Sequence, residues 1–263
     1  MKGAWTVLAA VAIVAGLSSG PAGAGAGVRV TGGMSYIAYG NFNDFVDNVN
    51  ALMAAETLGV GEVGNIHWVP EFSGEVLYSF MPTVAVGIGA GVLSGTSTFE
   101  VNLGGSGFSF EHTVKAYPIT GTVYAKIPVP FTFAKPYVFA GGGAYYTKVK
   151  FNESVTVMNE RQGYDAELTT WGFGIHGGAG LEISIVPMVA VDIGVSARAA
   201  KMKGFTGTAT SSDGRTADVF LAYYTSDGAV TYGPELAAEK GNYAEGEVDL
   251  SGFAVSLSLK VSF

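Results

Sequence analysis

The chain has 263 residues, of which 48% are hydrophobic and only 14% are charged, a low charged fraction for a soluble globular protein. It contains no cysteine, which excludes disulfides, thiolate metal sites and a lipidated N-terminal cysteine. The net charge of −8 argues against nucleic acid as a partner, because Lys and Arg supply most of that affinity by neutralising phosphates.

The first 24 residues have the pattern of a cleaved secretory signal peptide. A positive charge at Lys2 precedes the apolar run from Trp5 to Leu17, and Ala22-Gly23-Ala24 fits the small-x-small cleavage pattern. The apolar run is shorter than the roughly 20 residues that a transmembrane helix needs. We therefore expect residues 1–24 to be removed on export and residues 25–263 to form the mature domain.

In the rest of the chain, apolar residues alternate with small or polar ones, which is the period of a β-strand. In residues 171–184, for example, every even-numbered position is glycine or polar. Several such stretches reach the roughly 9–11 residues that a tilted strand needs to cross a bilayer. The pattern predicts eight crossing strands, at about residues 27–40, 67–80, 84–98, 110–127, 136–150, 168–185, 188–205 and 248–263.

Strands cross lipid only as a closed barrel, because an open edge would leave backbone groups without hydrogen bonds. Three of the predicted connections are short, at 81–83, 128–136 and 186–187. The others are long and polar, at 41–66, 99–109, 151–167 and 206–247. The sequence therefore predicts an all-β, closed antiparallel transmembrane barrel of about eight strands, with short periplasmic turns and long extracellular loops.

Several local features add detail to this prediction. Pro70 and Pro118 fall inside predicted strands and remove a backbone donor, so we expect a bulge at each. Residues 219–233 predict a hairpin around Asp227-Gly228 that extends above the membrane; a barrel of ten strands is the alternative.

The first long connection also contains a predicted helix at about residues 43–58. Asn43 or Asp44 can cap its start and Gly59 can end it. We expect its apolar stripe to pack on the barrel rim, with a lid or a partner-binding surface as the alternative. The stripe consists of Phe45, Val46, Val49, Leu52 and Met53.

The last predicted strand alternates lipid-facing apolar residues with small or charged ones. The lipid-facing set is Phe253, Val255, Leu257, Leu259, Val261 and Phe263. It resembles the C-terminal signal of bacterial outer-membrane proteins, a strand with a terminal aromatic residue that the barrel-assembly machinery reads. PYVFAGGGAYY (136–146) and GFGIHGGAGLEI (172–183) resemble the glycine-rich strands of small OmpA/OmpX/OmpW-like barrels. This resemblance implies the outer membrane of a Gram-negative bacterium, with membrane lipid, lipopolysaccharide and, during biogenesis, the assembly machinery as partners.

Inward positions of the predicted strands collect polar and charged residues. This interior cluster consists of Arg29, Glu71, Glu75, Lys126, His176, Glu182, Asp192, Arg198 and Lys260. Its charges predict either an ionic network that plugs the barrel or a water-filled lumen with ion selectivity. Glu182 and Asp192 are expected to face each other across a turn, with a cation such as Arg29 or Lys260 between them. Inward glycines such as Gly174 and Gly178 are expected to make room for bulky neighbours such as Tyr137, Phe139 and Tyr145.

The sequence contains few motifs that indicate a catalytic, cofactor-binding or metal-binding site. The glycine runs lack the Lys-Ser/Thr of a phosphate-binding loop, and His67, His112 and His176 lack metal-ligand spacing. We therefore predict no catalytic, cofactor or metal residues and a structural or surface-interaction role, with no extracellular partner identified. A small pore for small or apolar solutes is the first alternative. A membrane-embedded lipid hydrolase with His112 at the rim is the second.

The last long loop is acidic, and we expect its carboxylates to be solvated. The alternative is that divalent cations bridge them to lipopolysaccharide. The acidic residues are Glu235, Glu239, Glu245, Glu247 and Asp249.

Overall fold

The computed structural model describes residues 25–55, 66–103, 106–130, 133–157, 160–224, 230–233 and 243–263. The predicted signal peptide and the end of the predicted helix lie outside these ranges. The described elements are β1 (Gly25–Ile37), α1 (Asn41–Ala55), β2 (Trp68–Met81), β3 (Val84–Leu103), β4 (Ser106–Lys126), β5 (Ala134–Val157), β6 (Glu160–Val186), β7 (Val189–Met202), β8 (Thr206–Ser211), β9 (Thr216–Tyr224), β10 (Val230–Gly233), β11 (Tyr243–Glu245), β12 (Val248–Asp249) and β13 (Gly252–Ser262). Across the described segments, no helix has both the length and the apolar character needed to cross a membrane.

Eight of the strands form a closed antiparallel ring. Consecutive strands from β1 to β7 pair with each other, and β13 pairs with β7 on one side and with β1 on the other. The closing seam places Arg29 opposite Lys260 and Tyr36 opposite Phe253. The ring confirms the predicted fold class. The alternative of ten membrane strands is wrong, because β9 and β10 pair with each other outside the ring.

One end of the ring, called the turn end, carries the short connections at 82–83, 127–133 and 187–188. The opposite end, called the loop end, carries α1 and the strands that extend beyond the ring. The register shifts of the ring's ladders lie near the turn end, between Ser79 and Met81 and between Ser184 and Val186. Both are places where the chain is about to reverse direction, and a bulge increases the local twist there.

The two expected proline bulges are wrong. Pro70 lies opposite Met34 in an unbroken β1–β2 ladder. On β4, the ladder with β3 loses two pairs around Pro118, but the register on both sides of the gap is the same. A missing N–H removes hydrogen bonds without requiring an extra residue, so the strands stay in register.

The predicted loops at 99–109 and 151–167 are mostly strand, which corrects the sequence-based boundaries. β5 and β6 contain 24 and 27 residues, and they pair continuously from Ala134–Ile183 to Val157–Glu160. That length is more than twice the roughly 9–11 residues of a bilayer crossing. The polar residues of this segment suggested a loop, yet they alternate with buried residues such as Val149 and Phe151.

The last long loop, 206–247, also forms a sheet. β8 pairs with the loop-end part of β6, β9 pairs with β8, and both β10 and β11 pair with β9. The predicted hairpin at 219–233 is confirmed by the pairing of Tyr223 with Val230, and its turn lies outside the described residues. The ring strands and these additions together build one continuous sheet beyond the loop end of the barrel.

Outward side chains of the ring form an apolar belt. Ile88 is 72% exposed and Phe173 is 83% exposed. A belt of this extent around a closed ring has the pattern of a transmembrane barrel, in which lipid covers the apolar face. Its members include Val30, Met34, Phe72, Ile88, Ile119, Val123, Val138, Phe173, Ile175, Leu181, Ile193, Val195, Val255, Leu257 and Leu259.

Inside the loop end lies an apolar core that α1 helps to build. Phe42 of α1 is 3% exposed and packs near the rings of Phe151 and His112 at centroid distances of 5.9 Å. Tyr39 enters the helix in a left-handed conformation, with φ of 62°, and its side chain is almost completely buried. The other main members of this loop-end core are Ile37, Val69, Leu93, Val114, Tyr145, Val149, Leu168, Met202, Phe205, Leu221 and Leu250.

The start of α1 differs from the sequence-based expectation. The helix begins at Asn41, so Asn43 lies within its first turn. The buried Asn43 amide donates to the carbonyl oxygens of Ala38 and Ile66, at 3.0 and 3.1 Å, and its oxygen accepts from Ile66 N at 3.1 Å. Asn43 therefore fastens the helix to the segment that leads into β2. Of the predicted stripe, Val46 is buried, and the other four side chains lie outside the described part of the chain.

Candidate functional site in the barrel interior

The turn-end half of the barrel contains a layer of buried charges, here called the lower ionic layer: Arg29, Glu75, Lys126, Glu182, Asp192 and Lys260. Arg29 and Asp192 face each other in this layer, with Arg29 Nε 3.0 Å from Asp192 Oδ2. This contact is an ion pair without hydrogen-bond alignment, since neither group makes a hydrogen bond to another described residue at these atoms. Arg29 Nη1 also lies 3.5 Å from Glu75 Oε2. One guanidinium therefore pairs with two carboxylates, one from β2 and one from β7.

Glu182 accepts hydrogen bonds from two lysines in the same layer. Lys126 Nζ donates to Glu182 Oε1 at 2.8 Å, and Lys260 Nζ donates to Glu182 Oε2 at 2.7 Å. Glu182 lies directly opposite Asp192 across β6 and β7. Glu182 therefore pairs with the two lysines and Asp192 with Arg29, and the layer balances three positive charges with three negative ones.

Aromatic side chains complete the lower ionic layer. The Arg29 guanidinium lies over the Tyr124 ring at 4.5 Å and over the Tyr137 ring at 5.5 Å. The Tyr124 hydroxyl donates to Glu75 Oε2 at 2.7 Å. A Cβ atom at Gly180 would lie 2.5 Å from the Tyr137 ring, so glycine is needed there for close packing. Tyr137 was expected from the sequence as a bulky inward side chain; Tyr124 was not singled out, although it alternates in phase with inward residues.

A second group of charges lies closer to the loop end. Arg198 Nη1 lies 3.3 and 3.4 Å from the two carboxylate oxygens of Glu71, and Arg198 Nε donates to Leu250 O at 3.1 Å. Ser35 donates a short hydrogen bond to the same carboxylate. The side chains of Arg198 and Glu71 are 10% and 23% exposed. This upper pair anchors β2 to β7 across the lumen.

A polar cavity of about 140 Å³ separates the two groups. Arg29, Glu75 and Tyr124 line its floor, and Glu71 and Arg198 line its upper part. His176 lies on its wall, with Nε2 3.0 Å from the Thr122 hydroxyl. The cavity has room and polar partners for several water molecules. Beyond it, towards the loop end, the apolar loop-end core fills the lumen.

All nine residues of the predicted interior cluster point into the barrel, but they do not form one network. Six belong to the lower ionic layer, two form the upper pair, and His176 bonds to neither group. The lumen-facing glycines make room as expected. A Cβ at Gly178 would lie 2.7 Å from Phe139, and one at Gly174 would lie 2.9 Å from Tyr145.

The five outward residues of β13 and Phe263, which directly follows the strand, lie on the lipid-facing side of the seam that closes the ring. Five of them are about half exposed, and Val261 is partly covered. The backbone N–H of Phe263 donates to the carbonyl of Ala26 at 2.8 Å. This bond continues the β1–β13 pairing to the last residue.

The histidines near the loop end lie in packed surroundings. His67 stacks on Tyr36 at 5.1 Å. His112 is 4% exposed, its Nε2 lies 3.6 Å from Glu153 Oε1, and Ser97 lies opposite it across β3 and β4. Among the described residues, no group of three or more His, Asp or Glu side chains could hold a metal ion.

Part of the acidic run in the last loop is ion-paired, which corrects the expectation of a purely solvated surface. Glu247 lies 3.0 Å from Lys201 Nζ and 3.1 Å from Lys203 Nζ, and Asp249 lies 3.6 Å from Lys201. Two of the other acidic residues, Glu235 and Glu239, lie outside the described residues. These pairs fasten the chain before β13 to the end of β7.

Of the three kinds of comparison with known proteins, the search of solved structures is the one that found similar proteins. No protein-family model matches the chain, and no curated protein gives a significant match. Ail of Yersinia pestis, solved with the heparin analogue sucrose octasulfate, is 11% identical, with coverage of 92% of this chain and 99% of that chain and a TM-score of 0.42.

Two further solved structures have similar statistics. A major outer membrane protein of Thermus thermophilus is 10% identical over 90% of this chain and 99% of that chain, with a TM-score of 0.45. CarO of Acinetobacter baumannii is 12% identical over 91% of this chain and 97% of that chain, with a TM-score of 0.32. The fold assignment rests on the strand pairing itself: the chain is a closed, eight-stranded antiparallel membrane β-barrel, the architecture of the small outer-membrane barrels that its sequence resembles.

Proposed function

We propose that the protein is a non-enzymatic outer-membrane barrel with a closed lumen, which anchors a folded sheet at the cell surface for interaction with other molecules. The observation that supports this proposal best is the filling of the lumen at two levels. The lower ionic layer fills the lumen near the turn end and the loop-end core fills it at the loop end, with the polar cavity between them.

The energetics of the lower ionic layer favour a plug over a pore. Asp192, Glu182 and Lys260 are each less than 10% exposed. A charge held away from water is costly unless it is paired, and here each carboxylate has a cation within 3.5 Å. A conducting lumen would instead keep such groups hydrated along a continuous water path.

The surface role is supported by the sheet beyond the loop end. Mobile loops would be sufficient to connect the strands, yet this chain builds paired strands with buried Val219 and Leu221. A packed sheet holds its exposed residues in fixed positions, which lowers the entropy cost of binding a partner. We therefore assign the interaction surface to this sheet, with the loop end outside the cell.

Arg198→Met tests the closed lumen. If Arg198 braces a plug, the substitution leaves Glu71 buried without its cation and lowers the temperature at which the folded band disappears on a gel. Lys201→Met is the matched control, because Lys201 is 61% exposed and its pairs lie at the surface. Equal melting temperatures for wild type and both variants would contradict the plug.

The orientation has a separate test. An epitope inserted at 212–214, in the exposed β8–β9 turn, should be labelled by antibody on intact cells. The same epitope inserted at 82–83, at the turn end, should be labelled only after permeabilisation. The reverse labelling pattern would place the sheet in the periplasm and would remove the surface role.

A membrane hydrolase is the second candidate, because Ser97, His112 and Glu153 lie together. We favour a packing role for this group, since His112 is enclosed by the rings of Phe42, Phe110 and Phe151 at 4.5 to 5.9 Å. The purified protein is expected to release no fatty acid from phospholipid vesicles above the rate of the Ser97→Ala variant. Hydrolysis by wild type that Ser97→Ala abolishes would establish the enzyme instead.

A further inference from the structure

The three connections at the turn end consist almost entirely of apolar residues. Residues 80–84 (FMPTV), 127–133 (IPVPFTF) and 185–189 (IVPMV) include no charged side chain, and two threonines are their only polar residues. We call the described residues of these segments the turn ring. Large exposed apolar surfaces mark contact sites for a protein or a membrane. Members of the turn ring that are about half exposed or more include Met81, Ile127, Phe133, Ile185, Val186 and Met188.

The backbone of the turn ring also presents few polar groups to a solvent. Four prolines remove N–H donors, and one carbonyl oxygen of each connection accepts a hydrogen bond from a neighbouring strand. A backbone group without a partner is costly in lipid, whereas water solvates it. These connections therefore meet a requirement that an aqueous turn does not have. The prolines are Pro82, Pro128, Pro130 and Pro187, and the bonds run from Lys126 N to Thr83 O at 2.7 Å, from Ser184 N to Phe133 O at 2.9 Å and from Ser262 N to Met188 O at 2.8 Å.

The turn between β8 and β9, at the loop end, has the opposite character. Its sequence at 211–215 is SSDGR, and the side chains of Asp213 and Arg215 are 51% and 88% exposed. The Asp213 carboxylate accepts a hydrogen bond from the backbone N–H of Arg215 at 3.2 Å, a polar local contact typical of a solvated turn. Short turns in this chain are thus polar at the loop end and apolar at the turn end, which indicates different surroundings.

The lipid-facing surface of β6 reaches the turn ring without a polar break. Every outward position from Trp171 to Ile185 is apolar or glycine. This stretch rises about 48 Å along the strand, or about 34–39 Å along the membrane normal at a tilt of roughly 35–45°, whereas the apolar band of outer-membrane barrels is about 25 Å tall. At the loop end the apolar face stops at Trp171, because Thr169 and Glu167 follow on the same face. The excess of roughly 10 Å therefore lies at the turn end.

We propose that the turn ring is inserted into the interface of the inner leaflet and is covered by phospholipid instead of by the water of the periplasm. The ring is continuous with the lipid-facing belt through Phe80 and Ile185, so lipid that covers the belt extends onto the ring. A hydrophobic face longer than the bilayer is accommodated at modest cost by tilting or by local thickening of the membrane. The proposed orientation makes this leaflet the phospholipid one, but the depth of the ring depends neither on that orientation nor on whether the lumen conducts.

Tryptophan reporters in two separate turns test this depth in the purified mature protein. In the background W68F/W171F, which removes the tryptophans of residues 25–263, Ile127→Trp and Met188→Trp each place one indole in the turn ring. Ser212→Trp in the same background is the matched control, in the exposed β8–β9 turn, and W68F alone keeps Trp171 as a reference in the lipid-facing belt. Each protein is reconstituted in a short-chain phosphatidylcholine with a hydrocarbon layer of about 25 Å, part of it brominated near the headgroup end of the acyl chains.

We expect the brominated lipid to quench both turn reporters by about the same fraction as Trp171, and iodide on both sides of the membrane to quench them weakly. Ser212→Trp should show the reverse. Iodide quenching of either turn reporter at the level of Ser212→Trp would overturn the proposal, since it would place the turn ring in water, available to a periplasmic protein. Only variants that retain the folded gel band are compared, and the second reporter keeps the test decisive if one variant fails to fold.

Discussion

Glu182→Gln should destabilise the barrel strongly, because this carboxylate is the shared counter-ion of two lysines. Its side chain is 5% exposed, and its oxygens accept from Lys126 and Lys260 at 2.8 and 2.7 Å. Removing one partner of a buried pair costs about 3–5 kcal/mol. Lys126 is 20% exposed, so water can screen part of the loss. We therefore expect the free energy of unfolding to fall by about 3 kcal/mol, the lower end of that range.

Urea unfolding in lipid vesicles, followed by tryptophan fluorescence, measures this change. Trp68 and Trp171 are 53% and 60% exposed on the outer face of the barrel, so their emission should change when the strands leave the lipid. Lys201→Gln removes a partner from an exposed pair and should change the free energy of unfolding by about 0–1 kcal/mol. The double variant Glu182→Gln/Lys260→Met should recover part of the loss, because one uncompensated ammonium is removed with the carboxylate.

The reasoning fails if Glu182→Gln and Lys201→Gln have the same small effect. Equal effects would mean that water solvates Lys126 and Lys260 in both proteins. The lower ionic layer would then be a hydrated lining, and the argument for a plug would lose its main energetic support.

The other predictions concern export, assembly and packing. The mature protein should begin near Gly25 and fractionate with outer membranes, and its folded and heat-denatured forms should migrate differently on a gel; recovery in the cytosol or soluble periplasm would contradict this. Phe263→Asp should slow insertion, since it places a charge on the lipid side of the β1–β13 seam, and an unchanged folded yield in cells would count against that role. Gly178→Val should lower stability by about 1–3 kcal/mol or prevent folding, because a Cβ there meets Phe139 at 2.7 Å. Gly121→Val is its control, with nothing within 4 Å of the added Cβ, and equal urea midpoints for the two variants would refute the packing argument.

The alternation of side chains made the ring and its two faces predictable from the sequence. In their strands, Arg29, Glu182 and Asp192 lie on the same face as glycine and other small residues, opposite the apolar face. Their inward direction therefore follows from the two-residue period of a strand. The lipid-facing residues, such as Ile175 and Leu257, follow from the same rule. Closure of the ring then follows from the lack of hydrogen-bond partners for a strand edge in lipid.

The extent of the strands beyond the membrane could not be predicted in the same way. Residues 147–152 alternate as strictly as the membrane segments, but Lys148, Lys150 and Asn152 occupy their outward positions. A polar outward face is typical of both a solvated strand and a loop, and only the partner strand decides between them. Here the partner is β6, whose Leu168 and Ala166 bury the same inner face.

The pairing of interior charges depends on register, tilt and barrel closure, which no local pattern specifies. Glu71 and Arg198 are 127 residues apart in the chain and meet only because the lumen is narrow. Likewise, Phe42 enters the loop-end core because Asn43 fastens α1 to Ile66. The polar residue at the start of the helix was recognised from the sequence, but its tertiary partner was not.

Ion conductance of the wild-type protein tests the closed lumen most directly. The folded mature protein is inserted into a planar lipid bilayer, and insertion is verified by protease protection in vesicles of the same lipid. With the lower ionic layer and the loop-end core both in place, we predict a current indistinguishable from that of the protein-free bilayer. Steady, stepwise conductance well above that background would contradict the plug and would assign the interior charges to ion selectivity instead.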